Sequence, residues 1–135
     1  VEAEKAYKNA LKANPFYVFG ALSLARLYIF SGQPDKAVQV LRNTRKWYRG
    51  DHEISLFMGL AYAFKKDARR AVEEFERSLR WKTDYSLAHF YLGVQVQNSH
   101  PSSARRHLET FLSLNRDKLG QEQLVQKAEK LLKKL

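Results

Sequence analysis

Ala3, Ala37 and Ala71 stand thirty-four residues apart, and the residues around them repeat in kind at the same step. Tyr7, Leu41 and Phe75 form a second column; Leu24, Met58 and Leu92 a third; Ala25, Gly59 and Gly93 a fourth; Tyr28 and Tyr62 repeat with them. A chain with a period of this length buries its apolar faces by stacking helical hairpins on one another, not by closing a single globular core. The final interval is thirty-three residues, both from Ala71 to Ala104 and from Phe75 to Leu108, so one residue is missing from the turn near Ser99 to Ser102.

Each unit reads as two antiparallel helices. Ala25, Gly59 and Gly93 fall mid-way along a first helix, where a larger side chain would hold its hairpin partner away. Ala37, Ala71 and Ala104 play the same part early in the second helix. Tyr28, Tyr62, Leu41, Phe75 and Leu108 fill the space between, alternating large with small as a dense interior requires. The pattern predicts helices over about 1–13, 16–31, 34–48, 52–65, 67–82, 85–98 and 101–114, and one more from near Asp117 to the end. Pro34 and Pro101 suit first-turn positions, Asp67 an N-cap, and Gly32 and Gly50 turns.

The columns of Leu, Gly, Tyr, Ala and Phe with a closing Pro make the chain similar to the tetratricopeptide repeat (TPR) family. The resemblance covers about residues 1–114. Its best stretch runs from Leu56 to Leu79, with Met58, Gly59, Tyr62, Ala71 and Phe75 in the matching columns, while Ala3, Tyr7, Ala10 and Pro15 match the end of an earlier unit. Thr44 and Ser78 depart from the usual small apolar residue, and Arg49 and Thr83 stand where Pro is expected. The resemblance implies an all-α, right-handed α-solenoid of TPR helix-turn-helix hairpins with a C-terminal capping helix, in one domain. Its parts are a partial repeat at 1–15, repeats at 16–49 and 50–83, a shortened repeat at 84–115 and a cap at 117–135. The cap carries Leu124, Val125, Ala128, Leu131, Leu132 and Leu135 on one face and Lys127, Lys130, Lys133 and Lys134 on the rest. Such a basic amphipathic helix also suits a membrane surface or an acidic partner. Because the chain opens inside a second helix and lacks an initiator Met, it is expected to be a piece of a longer protein.

A net charge of +10 favours anionic partners of any kind and says nothing of fold. With no cysteine there is neither a disulfide framework nor a zinc-thiolate site. No apolar run approaches the ~18 residues of a membrane span. The compartment stays open, with a leaning to the cytoplasm; an upstream signal or anchor remains compatible with the sequence.

In solenoids of paired helices the first helices line the concave side, so their outward chemistry advertises the ligand. Projection from the Gly/Ala column puts Phe19, Leu22, Arg26, Ile29 and Phe30 in this groove, followed by Glu53, Leu56, Leu60, Ala63 and Phe64, then Leu87, Phe90, Val94, Gln97 and Asn98, with Phe57 and Tyr91 on its flank. A mostly apolar groove of this sort predicts a partner protein that lays an amphipathic helix or an extended apolar peptide into it, with Phe19, Phe64 and Phe90 as anchors. The same groove could join copies of this chain into a homo-oligomer. Carboxylate-clamp TPR domains, which hold chaperone C-termini, need Lys and Asn in columns that here hold Leu22, Leu56 and Phe90, then Arg26, Leu60 and Val94.

An alternative basic surface lies on the second helix of the first full repeat, where Arg42, Arg45, Lys46 and Arg49 crowd with Trp47 and Tyr48. Arg with aromatics can hold nucleic acid or an anionic surface. The plainer expectation is a solvated outer face with its aromatics buried against the next repeat. The matching helix of the next repeat looks balanced by Glu73 with Arg77 and Glu76 with Arg80, one turn apart. Enzyme signatures are lacking: there is no phosphate-binding glycine loop, nucleophile elbow or HExxH, and His52, His89, His100 and His107 lack metal-ligand spacing. No catalytic residue, metal or cofactor is expected.

Overall fold

The protein is described here from a computed structural model covering residues 2–135. Its helices are α1 (Glu2–Ala13), α2 (Val18–Phe30), α3 (Pro34–Arg45), α4 (His52–Phe64), α5 (Ala68–Trp81), α6 (Ser86–Val96), α7 (Pro101–Asn115) and α8 (Glu122–Lys134). No strand occurs among the described residues. The helices α2/α3, α4/α5 and α6/α7 pair as hairpins; α1 packs on α2 as the second helix of a preceding unit would.

The layers differ in spacing. The first helices touch in series, α2 with α4, α4 with α6 and α6 with α8, whereas α3 packs on α2 and α4 and its backbone stays away from that of α5, which it reaches through the Arg45–Glu74 pair. First helices are therefore drawn together and second helices splayed, which curves the stack toward the first-helix side. Composition follows this placement: α2, α4 and α6 are apolar nearly all round because they are packed on several sides, while α5 separates an apolar stripe from a charged face.

Local chemistry sets the helix ends. Asp51 Oδ1 accepts from the Glu53 and Ile54 amides at 2.7 and 3.0 Å, starting α4, and Asp67 Oδ1 accepts from the Arg70 amide in α5. The first two hairpin turns close alike. The Gln33 amide donates to the Tyr28 carbonyl and the Asp67 amide to the Tyr62 carbonyl, each across a left-handed residue, Gly32 (φ 78°) or Lys66 (φ 65°). In the shortened repeat, the equivalent Val96 carbonyl accepts from the His100 amide, one residue earlier. The missing residue is thus the left-handed one, and Pro101, with no N–H, could not have made the longer closure.

Most boundaries differ from the predicted ones by a residue or more, and three have a visible cause. Residues 14–17 form a turn, with the Phe16 amide bonded to Asn14 Oδ1, so α2 starts at Val18. The helix α3 stops at Arg45, where the Trp47 and Tyr48 amides both turn back to the Thr44 carbonyl. Gly120, at φ 87°, and the exposed Leu119 delay α8 to Glu122.

The core confirms the small-against-large columns at close range. A Cβ added at Gly59 would lie 2.5 Å from the Phe75 ring, and one at Gly93 would lie 2.9 Å from Leu108 Cγ. Thr44 and Ser78 are buried in place of apolar residues, and each hydroxyl is satisfied, by the Val40 carbonyl at 3.0 Å and the His52 carbonyl at 2.8 Å. The helix α8 lies against α7 and α6 and closes a second cluster of Phe90, Phe111, Leu112, Val125 and Ala128.

Candidate binding site

The inner face is shallower than the projected groove. Leu22, Leu56 and Phe90, one residue per repeat at the same step, are buried, as are Ile29 and Leu60. The four aliphatic residues join the main core cluster, and Phe90 lies beside Phe111 in the cluster that α8 closes, with ring centroids 5.1 Å apart. Leu22, Ile29, Leu56 and Leu60 are core, not accessible floor, and Phe90 keeps only an edge at the surface, which corrects the projection: the columns place a residue on a helix face, but the neighbouring repeat decides whether that face is covered.

What remains exposed is a ridge. Phe19 is 66% exposed, Phe30 64% and Phe64 49%, and Arg26 is exposed between them along α2. Phe30 and Phe64 meet edge to face with centroids 5.9 Å apart, joining the C-terminal ends of α2 and α4. Glu53 and Asn98 are also exposed, while Leu87, Val94, Gln97, Phe57, Ala63 and Tyr91 are half-buried. Burial pushes the Tyr91 phenol up, and the charge of Arg26 partly offsets it. Two hollows flank the ridge. One of about 330 Å³ is lined by Ala3, Tyr7, Ser23, Arg26, Leu27 and Phe30; the other, of about 410 Å³, is lined by Phe90, Tyr91, Val94, Gln97 and Leu131 with Lys127, Lys130 and Lys134. The lysines of α8 therefore border the inner face, a juxtaposition that spacing within α8 alone does not reveal.

On the opposite side, the gap between α3 and α5 forms a trough of about 680 Å³ lined by Arg42, Arg45, Lys46, Arg49, Arg77, Arg80 and Trp81. The four residues predicted as a basic surface are brought together here, and three from α5 join them. Glu74 is the buried acid beneath: Arg45 grips it bidentately at 3.0 and 2.6 Å, and Arg77 approaches to 3.7 Å. Arg42 Nη2 donates to the Tyr62 hydroxyl at 3.2 Å. The expected balance on α5 does not form, because Glu73 pairs with Arg69 at 2.8 Å and Arg77 leans toward Glu74. The expectation of buried aromatics fails for Trp47, which is 61% exposed, while Tyr48 is half-buried; Trp81, in the same column as Trp47, is 55% exposed. The overlooked signal was the period itself, since Lys46-Trp47 recurs thirty-four residues later as Arg80-Trp81.

The structure brings two histidines together. His89 Nδ1 and His107 Nδ1 lie 3.0 Å apart, and His89 Nε2 lies 2.9 Å from the Thr83 carbonyl. No group of three or more His, Cys, Asp or Glu side chains converges among the described residues.

Among solved structures, MamA matches over 97% of this chain and 83% of its own, at 25% identity and a TM-score of 0.73. The Yersinia enterocolitica type III secretion chaperone SycD, crystallised in complex with a peptide of the translocator YopD, matches over 87% of this chain and 90% of its own, at 16% identity and a TM-score of 0.79. MamA from Desulfovibrio magneticus RS-1, in a structure running from residue 41 to its end, matches over 87% of this chain and 67% of its own, at 18% identity and a TM-score of 0.71. No curated protein matches the sequence. Tetratricopeptide repeat family models match residues 1–60 and 52–85. With the hairpins and their packing columns in place, these matches show that the chain belongs to the tetratricopeptide repeat family.

Proposed function

We propose that this chain is a protein-interaction module whose inner face takes an amphipathic helix or an extended apolar peptide of a partner protein. The observation that carries this reading is the aromatic ridge of Phe19, Phe30 and Phe64, left about half or more exposed beside Arg26 on an otherwise well-packed layer. A fully exposed ring of this size gains roughly 1.5–3 kcal/mol when covered, and these partly buried ones about half to two-thirds of that each, so three supply the core of a specific interface. Arg26 would pair with an acidic group on the partner's polar edge. The fold of SycD, which resembles this one, accommodates a peptide in its own complex. Half-buried Leu87 and Val94 extend the apolar surface along α6.

The test avoids the buried residues, whose replacement would unfold the stack. A nuclease-treated lysate is passed over the native chain and over a Phe30→Asp, Phe64→Asp variant of equal helicity, and the retained proteins are compared. A partner retained only by the native chain supports the reading. If concentration-dependent mass is lost in the variant, the occupant is a second copy. Equal recovery and equal mass for both would sink the proposal.

A further inference from the structure

We propose that the outer trough between α3 and α5 is a binding site for single-stranded nucleic acid, held by phosphate contacts to its arginines and by a base stacked on Trp81. This site is separate from the aromatic ridge on the first-helix side and does not depend on it.

The trough exists because the backbones of α3 and α5 stay apart, with the Arg45–Glu74 pair bridging them at its floor. Arg42 and Arg45 lie one turn apart at the end of α3, and Lys46 and Arg49 continue the row of cations in the turn that follows it. Arg77 and Arg80 face them from α5. Six cations surround one acid in the trough, and that acid is already committed. Glu74 holds Arg45 in a fixed bidentate pair and draws in Arg77, orienting the wall without neutralising it. Lys46, Arg49 and Arg80 have no acidic side chain within ion-pair distance among the described residues. Like charges gathered at this density favour a polyanion.

Charge alone would suit an acidic peptide equally well, and Trp81 decides between them. One face of its indole packs on the backbone at Gly50, where an added Cβ would lie 3.2 Å from the ring carbons. The rest of the side chain is open to water at the end of the trough. A flat, half-seated indole at the end of a row of guanidinium groups is the arrangement by which sequence-tolerant single-strand binders combine stacking with phosphate contact. An acidic peptide needs the arginines but gives Trp81 no task. RNA and single-stranded DNA share this phosphate-and-base chemistry, and the test separates them.

The experiment uses the full chain carrying Trp47→Phe, which leaves Trp81 as the sole tryptophan. Fluorescein-labelled decauridylate, decathymidylate and decaglutamate are titrated by anisotropy at ~50 and ~200 mM salt, and Trp81 emission is followed with unlabelled ligands. The expected result is binding of at least one oligonucleotide in the micromolar range, quenching of Trp81, and affinity falling steeply with salt. The preferred oligonucleotide identifies the source. Arg49→Gln with Arg80→Gln should weaken binding about tenfold and flatten the salt slope by roughly one to two units. Trp81→Leu should weaken it roughly tenfold while leaving much of the salt slope. Lys133→Gln with Lys134→Gln, on α8, should leave binding unchanged. Absence of oligonucleotide binding at ~50 mM salt overturns the proposal. So does decaglutamate binding as tightly as either oligonucleotide, or a larger loss from the α8 substitutions than from those in the trough.

Discussion

Gly59 and Phe75 show how one residue's size is set by another thirty-four-step column. The added Cβ would lie 2.5 Å from a ring that is itself buried, so the ring has nowhere to go. In the preceding repeat the same two columns hold Ala25 and Leu41, the larger small residue paired with the smaller large one. Gly59→Ala should cost ~1–2 kcal/mol in urea unfolding, because ~1–3 kcal/mol of overpacking exceeds the ~0.5–1 kcal/mol that alanine gains in helix propensity. In the Gly59→Ala background, Phe75→Leu should cost at least ~1 kcal/mol less than in the native chain; simple additivity would count against this pairing. Lys66 is a different case, because nothing crowds it: a non-glycine residue sits at φ 65° where the previous repeat uses Gly32. Lys66→Gly should raise stability by ~0.5–1 kcal/mol, seen as a higher urea midpoint, since the left-handed conformation costs a β-carbon residue ~1–2 kcal/mol and glycine loses part of that gain to its freer unfolded chain.

At the level of elements, the seam between α6 and α7 carries a titration. His89 Nε2 can donate to the Thr83 carbonyl, which leaves one proton to be shared between the two Nδ1 atoms 3.0 Å apart. A second proton there would set two donors against each other. Burial first, then the charges of His89 and Arg106, hold His107 down to about 4, against ~6.5 in the unfolded chain. Between those values the unfolded state takes up the proton and the folded state does not, so this contribution to stability is present above about pH 6.5 and is lost as pH falls toward about 4. The urea midpoint should therefore drop between pH 7.5 and 4.5. His107→Asn, which keeps a donor near the Nδ1 position but does not titrate, should flatten that slope; an unchanged slope would place its source elsewhere.

Across the whole molecule, each hairpin is held by its neighbours in the stack, so damage should stay local. The helix α8 is the clearest place to see this. Ala128 is fully buried in the cluster that α8 forms with Phe90, Phe111 and Leu112, while α2 to α5 make no contact with α8. Ala128→Glu should undock α8, since an unpaired carboxylate has no partner in that cluster. Amide exchange should then quicken through 122–134 and more mildly in α6 and α7, with α2 to α5 keeping their protection. Uniform loss of protection along the chain would show instead that the stack unfolds as one cooperative unit.

The repeat step by itself determined the helical hairpins, the small and large packing columns and the deleted turn residue, because each follows from spacing along the chain. Exposure did not follow from spacing. Leu22, Leu56 and Phe90 have the pattern of an inner surface, yet adjoining first helices and α8 bury them. Arg77, Arg80 and Trp81 look like parts of one self-balanced helix, yet the separation of α3 from α5 makes them the far wall of a shared trough. His89 and His107, eighteen residues apart, meet only because α6 folds against α7. Periodicity is a property of the chain and can be counted. Which face meets water depends on how closely successive repeats pack and on what lies beyond them, and only the tertiary structure decided that.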